Sequence, residues 1–303
     1  MTRFAAIDVG TNSVRVLVAE VDGSSIAEVE RDLVITRLGE GVDKAKRLRA
    51  EAVRRTLEAI TSYHEKAVGL GAERVRIAAT SAVRDATNRH AFLHGVRERT
   101  GVELEVLSGD DEARLSFLGA TTELTDDAPY LVLDIGGGST EFVVGDRSVD
   151  AAISIDVGSV RLTERHVRHD PPTQAEIGAV RSDADAAVEK AMTVVGTSAQ
   201  TLVGLAGTIT SVTAIALELA DYDHDAIHHR RLSVSQVKEV ASRLQAMTSE
   251  QRRSLPAMLR GREDVIVAGA EILIAVMQGL EFDEVLVSEA DILDGLVLDA
   301  LGR

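Results

Sequence analysis

Aspartate, glycine and serine recur twice in this sequence with a spacing that could bind phosphate. Residues 7–13 read Ile-Asp-Val-Gly-Thr-Asn-Ser, and residues 133–139 read Leu-Asp-Ile-Gly-Gly-Gly-Ser, at a constant offset of 126 residues. Backbone N–H groups exposed in such turns can surround phosphate oxygens without obstruction by side chains. Glycines that only close a hairpin are the alternative, but two copies in matching context favour phosphate binding. The candidate phosphate ligands are Asn12, Ser13, Gly136, Gly137, Gly138 and Ser139.

Carboxylates next to both turns could hold a divalent cation. Asp8 and Asp134 end the strands that lead into the turns, and Glu141 follows the second turn. Mg²⁺ commonly takes one or two protein carboxylates and leaves its other positions to phosphate and water. Asp134 together with Glu141 fits this pattern, and Asp8 is a third candidate ligand. An aspartate that only stabilises the turn is the alternative for Asp8 and Asp134.

A third region, residues 108–114, reads Ser-Gly-Asp-Asp-Glu-Ala-Arg and offers a general base. Ser108 as a helix N-cap, followed by acidic residues in the first turn, would explain this pattern without catalysis. The functional interpretation is that Glu112 accepts a proton from an attacking water. The neighbouring aspartates favour its protonated form, whereas the helix N-terminus favours its ionised form, and the balance is left open.

Weaker signals lie elsewhere. Arg84 follows a strand, and its guanidinium suits bidentate phosphate recognition, although a lone arginine is usually a surface residue. Gly207 and Thr208 lie in a small-residue turn between a strand and a helix, which is typical of a further phosphate or nucleotide site. The histidines within 224–229 lie in a polar segment without matching ligands, so a metal site is not expected there.

These residues need strands and helices to position them. Period-2 apolar segments follow both turns, so each copy reads as strand, turn, antiparallel strand and, after a second turn, a third strand. Helices are predicted near 49–68, 88–99, 173–192 and 209–220 and from 108 and 291, and further strands near 75–80, 103–107, 201–205 and 284–287. This alternation predicts a duplicated α/β domain, with the two turns facing each other across a cleft. The predicted domains are 1–124 and 125–303, with a helix at 291–303 that can pack back on the first.

Composition and charge exclude several functions. The net charge of −16 argues against general nucleic-acid binding. The longest apolar stretch, Val265–Leu280, is shorter than the roughly 20 residues of a membrane span and predicts a buried helix. The absence of cysteine excludes disulfides and thiolate metal sites. No basic, apolar leader is visible at the start, so no membrane association and a cytoplasmic location are expected.

Together these segments resemble the exopolyphosphatase and guanosine pentaphosphate phosphohydrolase family, which belongs to the superfamily of actin, sugar kinases and heat-shock ATPases. The resemblance rests on Ser-Gly-x-x-Glu-Ala-Arg at 108–114 combined with Asp-Ile-Gly-Gly-Gly-Ser-Thr-Glu at 134–141, and it continues to 287–295. It implies duplicated actin-like, ribonuclease H-like domains. It also implies Glu112 as catalytic base, Mg²⁺ at Asp134 and Glu141, and phosphate bound by the glycine turns and Arg84. The chain is similar to the short, two-domain members, so processive action on very long polymer is not expected.

The resemblance implies Mg²⁺-dependent removal of terminal phosphate from inorganic polyphosphate. Guanosine pentaphosphate is the alternative substrate, and a sugar kinase or an actin-like ATPase is less favoured. With 3% aromatic residues and no tryptophan, the chain favours polyphosphate over a stacked guanine. A basic cluster could guide this polyanion across an acidic surface, unless it is only a solvated helix start; it comprises Lys44, Lys46, Arg47 and Arg49. The oligomeric state is left open, a homodimer included.

Overall fold

The computed structural model describes residues 2–22 and 25–302. The chain forms two compact units: unit 1 is Met1–Gly119 with Ile292–Arg303, and unit 2 is Ala120–Asp291. Each unit contains one mixed β-sheet with helices. The predicted domains, 1–124 and 125–303, remain a prediction.

Unit 1 contains a sheet of five strands in the order β3-β2-β1-β4-β5. Its strands are β1 (Thr2–Val9), β2 (Ser13–Asp22), β3 (Ser25–Ile35), β4 (Arg74–Ala79) and β5 (Leu104–Val106). The helices along the same stretch are α1 (Val42–Ala45), α2 (Ala50–Gly69), α3 (Ser81–Asp85), α4 (Arg89–Thr100) and α5 (Gly109–Thr121).

Unit 2 contains a sheet of six strands in the order β10-β11-β9-β6-β7-β8. Its strands are β6 (Tyr130–Ile135), β7 (Thr140–Gly145), β8 (Val149–Ile155), β9 (Thr201–Leu205), β10 (Arg231–Ser233) and β11 (Glu284–Val287). Its helices are α6 (Ser159–His166), α7 (Gln174–Val195), α8 (Ala206–Ala216), α9 (His224–Ile227), α10 (Val234–Gln245), α11 (Ser249–Arg253) and α12 (Ile266–Gly279). The chain then returns to unit 1 with α13 (Ile292–Ala300).

The two sheets share one topology. β1 pairs antiparallel with β2 and parallel with β4, which pairs parallel with β5. β6 pairs antiparallel with β7 and parallel with β9, which pairs parallel with β11. Five strands of each unit therefore correspond in order and direction. The predicted duplication of an α/β domain is confirmed.

Successive residues of β1 enter two different cores, because side chains alternate across a sheet. Ile7 and Val9 pack in a core with residues of α2 and α4, whereas Phe4 packs with residues of α5 and α13. Gly295 lets α13 lie against α5, since a Cβ at this position would be 2.0 Å from the carbonyl oxygen of Leu115. Burial on both faces explains why β1 reads as a nearly continuous apolar run.

The longest apolar segment is the buried helix α12, as predicted. Every residue from Ile266 to Met277 is buried, and the helix packs on α7, α10, α6 and α8. No helix in the described parts of the chain is both long enough and apolar enough to cross a membrane.

Candidate functional site

The glycine turns of the two copies are closed by the same hydrogen bond. The N–H of Gly136 donates to the carbonyl of Ser139 at 3.0 Å, and the N–H of Gly10 donates to the carbonyl of Ser13 at 2.9 Å. Each turn joins two antiparallel strands. Both copies are therefore β-hairpins of one design.

The second turn, Gly136–Ser139, lies against the start of α6. The N–H groups of Ser159 and Val160 donate to the carbonyls of Gly136 and Gly137 at 3.0 and 2.9 Å. Arg161 adds a bond from its Nε to the carbonyl of Gly138 at 2.6 Å. Helix α6 thus binds the carbonyl oxygens of three successive turn residues.

The N–H groups of this turn, unlike its carbonyl groups, are not used to hold the turn against α6. Within residues 2–22 and 25–302, the backbone N–H groups of Gly137, Gly138 and Ser139 donate no hydrogen bond to the protein. Ser139 is nevertheless 1% exposed, and buried donors in proteins are normally paired. Three successive N–H groups with their carbonyls fixed elsewhere can bind an anion such as a phosphoryl group.

Asp134 and Glu141 lie directly opposite each other next to this turn. They are cross-strand partners in the β6–β7 pair, which places their side chains on one face of the sheet. Both are buried, at 7% and 1% exposure. The hydroxyl of Ser154 donates to Oε1 of Glu141 at 2.7 Å. The sheet register places these two buried carboxylates side by side, where their oxygens could serve as ligands of a divalent cation.

This carboxylate pair fits a Mg²⁺ ion held by one or two protein ligands with the remainder from phosphate and water. A group of three or more His, Cys, Asp or Glu suited to a metal does not occur among the described residues. In the histidine segment, Glu289 accepts from the hydroxyl of Tyr222 at 2.6 Å and lies 3.0 Å from Nδ1 of His224. His228 and His229 stack with ring centres 3.7 Å apart.

The carboxylate of Asp8 forms an ion pair with an arginine of the same hairpin. Nε and Nη2 of Arg15 donate to one carboxylate oxygen of Asp8 at 3.0 and 2.7 Å. Arg15 is the cross-strand partner of Asp8 in the β1–β2 pair. The role of Asp8 as a metal ligand stays a prediction.

Arg84 and Glu112 are brought together within unit 1. Nη1 of Arg84 donates to Oε2 of Glu112 at 2.9 Å and to the carbonyl of Leu107 at 3.1 Å. Glu112 is 7% exposed at the first turn of α5. The ion pair with Arg84 holds the Glu112 carboxylate in a fixed position. Capping involves Ser108, which accepts from the N–H of Asp111 at 3.1 Å.

The other predicted phosphate ligands have structural partners. The carbonyl of Asn12 accepts from the N–H groups of Thr36 and Arg37 at 3.0 and 2.9 Å. Ser13 begins β2. These contacts hold the first turn against the segment after β3, and the roles of Asn12 and Ser13 at phosphate stay predictions.

The small residues at the start of α8 pack closely against neighbouring side chains. A Cβ at Gly207 would lie 2.1 Å from the guanidinium carbon of Arg262. Nη1 of Arg262 donates to the carbonyl of Gly207 at 2.7 Å and to Oγ of Ser211 at 2.9 Å. Thr208 is buried against Gly269. Phosphate binding by Gly207 and Thr208 stays a prediction.

The model of the Ppx/GppA phosphatase family matches residues 17–303. The chain belongs to this family. It is 44% identical to Exopolyphosphatase 2 of Mycobacterium tuberculosis, over 100% of this chain and 99% of that protein. It is 30% identical to the guanosine-5'-triphosphate,3'-diphosphate pyrophosphatase of Photobacterium profundum, over 99% of this chain and 59% of that protein. The crystal structure of an exopolyphosphatase-like protein has a TM-score of 0.94 at 39% identity, covering 99% of this chain and 97% of that one.

In this Ppx/GppA chain, the sequence analysis did not identify two sets of contacts at the turns: that of Arg15 in the first turn and those of α6 in the second. Arg15 could have been found, because the offset of 126 residues places it over Glu141. No local sequence pattern indicates the contacts of Ser159, Val160 and Arg161 with the second turn. They join residues more than twenty positions apart, and neither periodicity nor a motif connects them.

Proposed function

We propose that this chain is an exopolyphosphatase that removes terminal phosphate from inorganic polyphosphate, with Mg²⁺ at the Asp134–Glu141 pair. The observation that carries the proposal is the Gly136–Ser139 turn, whose three N–H groups find no acceptor in the described protein. The turn lies beside two buried carboxylates that face each other. Family membership and 44% identity to a full-length exopolyphosphatase support the same activity.

Different residues have different roles in the proposed hydrolysis. The N–H groups of the turn bind phosphoryl oxygens and stabilise the charge that develops on them. Glu112 accepts the proton of the attacking water, and Arg84 orients the Glu112 carboxylate by donating a hydrogen bond to it. When bound, Mg²⁺ supplies a positive charge that neutralises phosphate oxygens and orients the terminal group.

Guanosine pentaphosphate is the second candidate substrate, because the Photobacterium profundum relative carries the name of a guanosine-phosphate pyrophosphatase. A guanine base needs a surface on which to stack. The chain has three tyrosines, five phenylalanines and no tryptophan. Six of these eight rings are buried, and Tyr222 and Phe282 are the two that are partly exposed. This scarcity of aromatic surface favours polyphosphate.

The experiment is a side-by-side measurement of phosphate release, with Mg²⁺, from polyphosphate of tens of units, guanosine pentaphosphate and ATP. We expect kcat/KM to fall in that order. A sugar added to the ATP reaction tests for a kinase, and we expect no sugar phosphate. A clear preference for guanosine pentaphosphate would contradict polyphosphate as the substrate, and sugar phosphorylation would contradict hydrolysis altogether.

The net charge of the chain limits which partners we propose for it. A chain with a net charge of −16 does not attract nucleic acid as a whole, and its polyanionic substrate needs local cations. The exposed basic cluster at 44–49, at the entrance to α2, is the proposed guide. Cytoplasm is the proposed location, and a homodimer is one proposed state.

A further inference from the structure

The last helix of the chain, α13, contacts α5 at two points. Gly295 of α13 lies so close to α5 that a Cβ there would be 2.0 Å from the carbonyl oxygen of Leu115. About one turn further along α13, Oδ1 of Asp299 lies 2.9 Å from Nη2 of Arg114. Arg114 and Leu115 follow the proposed base Glu112 by two and three residues. Helix α13 therefore meets α5 within one turn of the base.

Asp299 also connects α5 to the sheet of unit 1. Its Oδ2 accepts a hydrogen bond from Nη1 of Arg76 in β4 at 2.7 Å, and the same Nη1 donates to the carbonyl of Leu296 at 3.2 Å. Nε and Nη2 of Arg76 donate to the carboxylate of Glu105 in β5 at 3.0 and 2.9 Å. One carboxylate of α13 thus joins α5, through Arg76, to two neighbouring strands.

The apolar side of α13 adds a buried contact at the same place. Leu296 and Val297 belong to one core with Leu115 of α5 and with Leu107, which follows β5. Leu115 and Leu296 are 1% and 0% exposed. Because buried side chains are packed almost without voids, a shift of α13 is transmitted to α5.

We infer that α13 is a positioning element of the proposed active site: its contacts with Arg114 and Leu115 set where α5 holds the carboxylate of Glu112. The inference rests on the proposed function, in which Glu112 is the base. Arg84 fixes the side chain of Glu112, whereas α13 fixes the backbone that carries it. A general base acts only within hydrogen-bond reach of the proton that it accepts. Displacing α5 therefore lowers the rate although every proposed catalytic group is still present.

Gly295→Ala tests this inference. The new Cβ requires a shift of roughly 1 Å or more between α13 and α5, since contacts between non-bonded atoms are normally about 3.5–4.0 Å. We expect kcat for polyphosphate to fall by about 10²-fold. Gly279→Ala is the matched control, because its Cβ would lie 2.6 Å from Cγ1 of Val188 and overpack α12 against α7. It should lower the free energy of unfolding but leave kcat unchanged.

A double-mutant cycle separates positioning from a simple loss of folded protein. If α13 acts through Glu112, Gly295→Ala should not lower kcat further when the base is already absent in Glu112→Gln. Unfolding of a fraction of the molecules would instead lower kcat by the same factor in both backgrounds. That result would overturn the inference.

Asp299→Lys provides a second test, which is decisive even if Gly295→Ala does not fold. It places a third positive charge beside Arg76 and Arg114, so kcat should fall by about fivefold. Asp299→Glu keeps the negative charge, and its kcat should stay within about twofold of wild type. A folded Asp299→Lys with the kcat of the wild type would overturn the inference.

Amide hydrogen exchange gives a measurement that does not depend on activity. The N–H of Glu112 donates to the carbonyl of Ser108 at 3.0 Å at the start of α5, and it should exchange faster in Asp299→Lys than in the wild type. Unchanged exchange in α5 would overturn the inference. If Glu112→Gln keeps the kcat of the wild type, the proposed base is wrong, and the exchange rate alone then decides whether α13 holds α5.

Discussion

The contact between Gly158 and the second turn allows the turn to be moved without changing any group proposed to bind phosphate. A Cβ at Gly158 would lie 2.6 Å from the carbonyl carbon and oxygen of Gly137. Ordinary contacts between such atoms are about 3.5–4.0 Å, so Gly158→Ala must displace the turn by roughly 1 Å. The backbone at Gly158 is extended, with φ −156° and ψ 165°, which alanine adopts without strain. The effect of the substitution is therefore steric.

A displacement of this size in a site that binds the reacting group can cost about 10²-fold in rate. We expect kcat/KM for polyphosphate to fall by about that factor in Gly158→Ala. Overpacking should lower the free energy of unfolding by about 1–3 kcal/mol. Initial rates of phosphate release and urea unfolding curves measure the two effects separately.

Gly178 provides the matched control. It lies exposed in α7, and a Cβ there would meet no atom within 4 Å. Gly178→Ala should keep wild-type kinetics and gain up to about 1 kcal/mol of stability, because alanine is the better helix former. If Gly158→Ala is destabilised as expected but keeps kcat/KM within about threefold of wild type, the turn does not bind the reacting phosphate.

Three further predictions concern the base, acid stability and the basic cluster. Glu112→Gln should lower kcat by about 10²- to 10⁴-fold with folding intact; a kcat within about threefold of wild type would remove Glu112 from the mechanism. The pKa of Glu176 is lowered from 4.5 to about 2, chiefly by the hydrogen bond that its carboxylate accepts from the backbone N–H of Thr173. Glu176 should therefore stabilise the fold fully above about pH 4.5 and progressively less as the pH falls toward 2. The free energy of unfolding of Glu176→Gln should depend less on pH in this window than that of the wild type. An equal dependence would refute the stabilising role of the Glu176 carboxylate. Lys44→Glu combined with Lys46→Glu should raise KM more for long than for short polyphosphate, and less so at high salt; an equal change at all lengths would place the cluster outside the binding path.

The sequence predicted the parts of the fold that repeat or have a clear period. The strand Glu284–Val287 lies where it was predicted, and α2, at Ala50–Gly69, is displaced by one residue. The two turns were recognisable because Asp, Gly and Ser recur at one offset. β10, at Arg231–Ser233, was missed because three residues are too few to show alternation, and it forms only by pairing with β11.

Pairings between distant residues account for what the sequence could not predict at the site. Arg84 reaches Glu112 across 28 residues, and Arg262 reaches Gly207 across 55 residues. Such contacts depend on how helices pack on a sheet, which no local pattern encodes. Arg15 is different, because aligning the two copies of the internal repeat places it at the position equivalent to Glu141.

The most direct test of the proposed mechanism is the metal dependence of phosphate release from polyphosphate. The protein is treated with excess EDTA, and Mg²⁺ is then added back in steps while the initial rate is measured. We predict no turnover in EDTA and full recovery once Mg²⁺ exceeds the chelator, because the Mg²⁺ proposed at the Asp134–Glu141 pair supplies the charge that neutralises phosphate oxygens. An undiminished rate in excess EDTA would contradict the account.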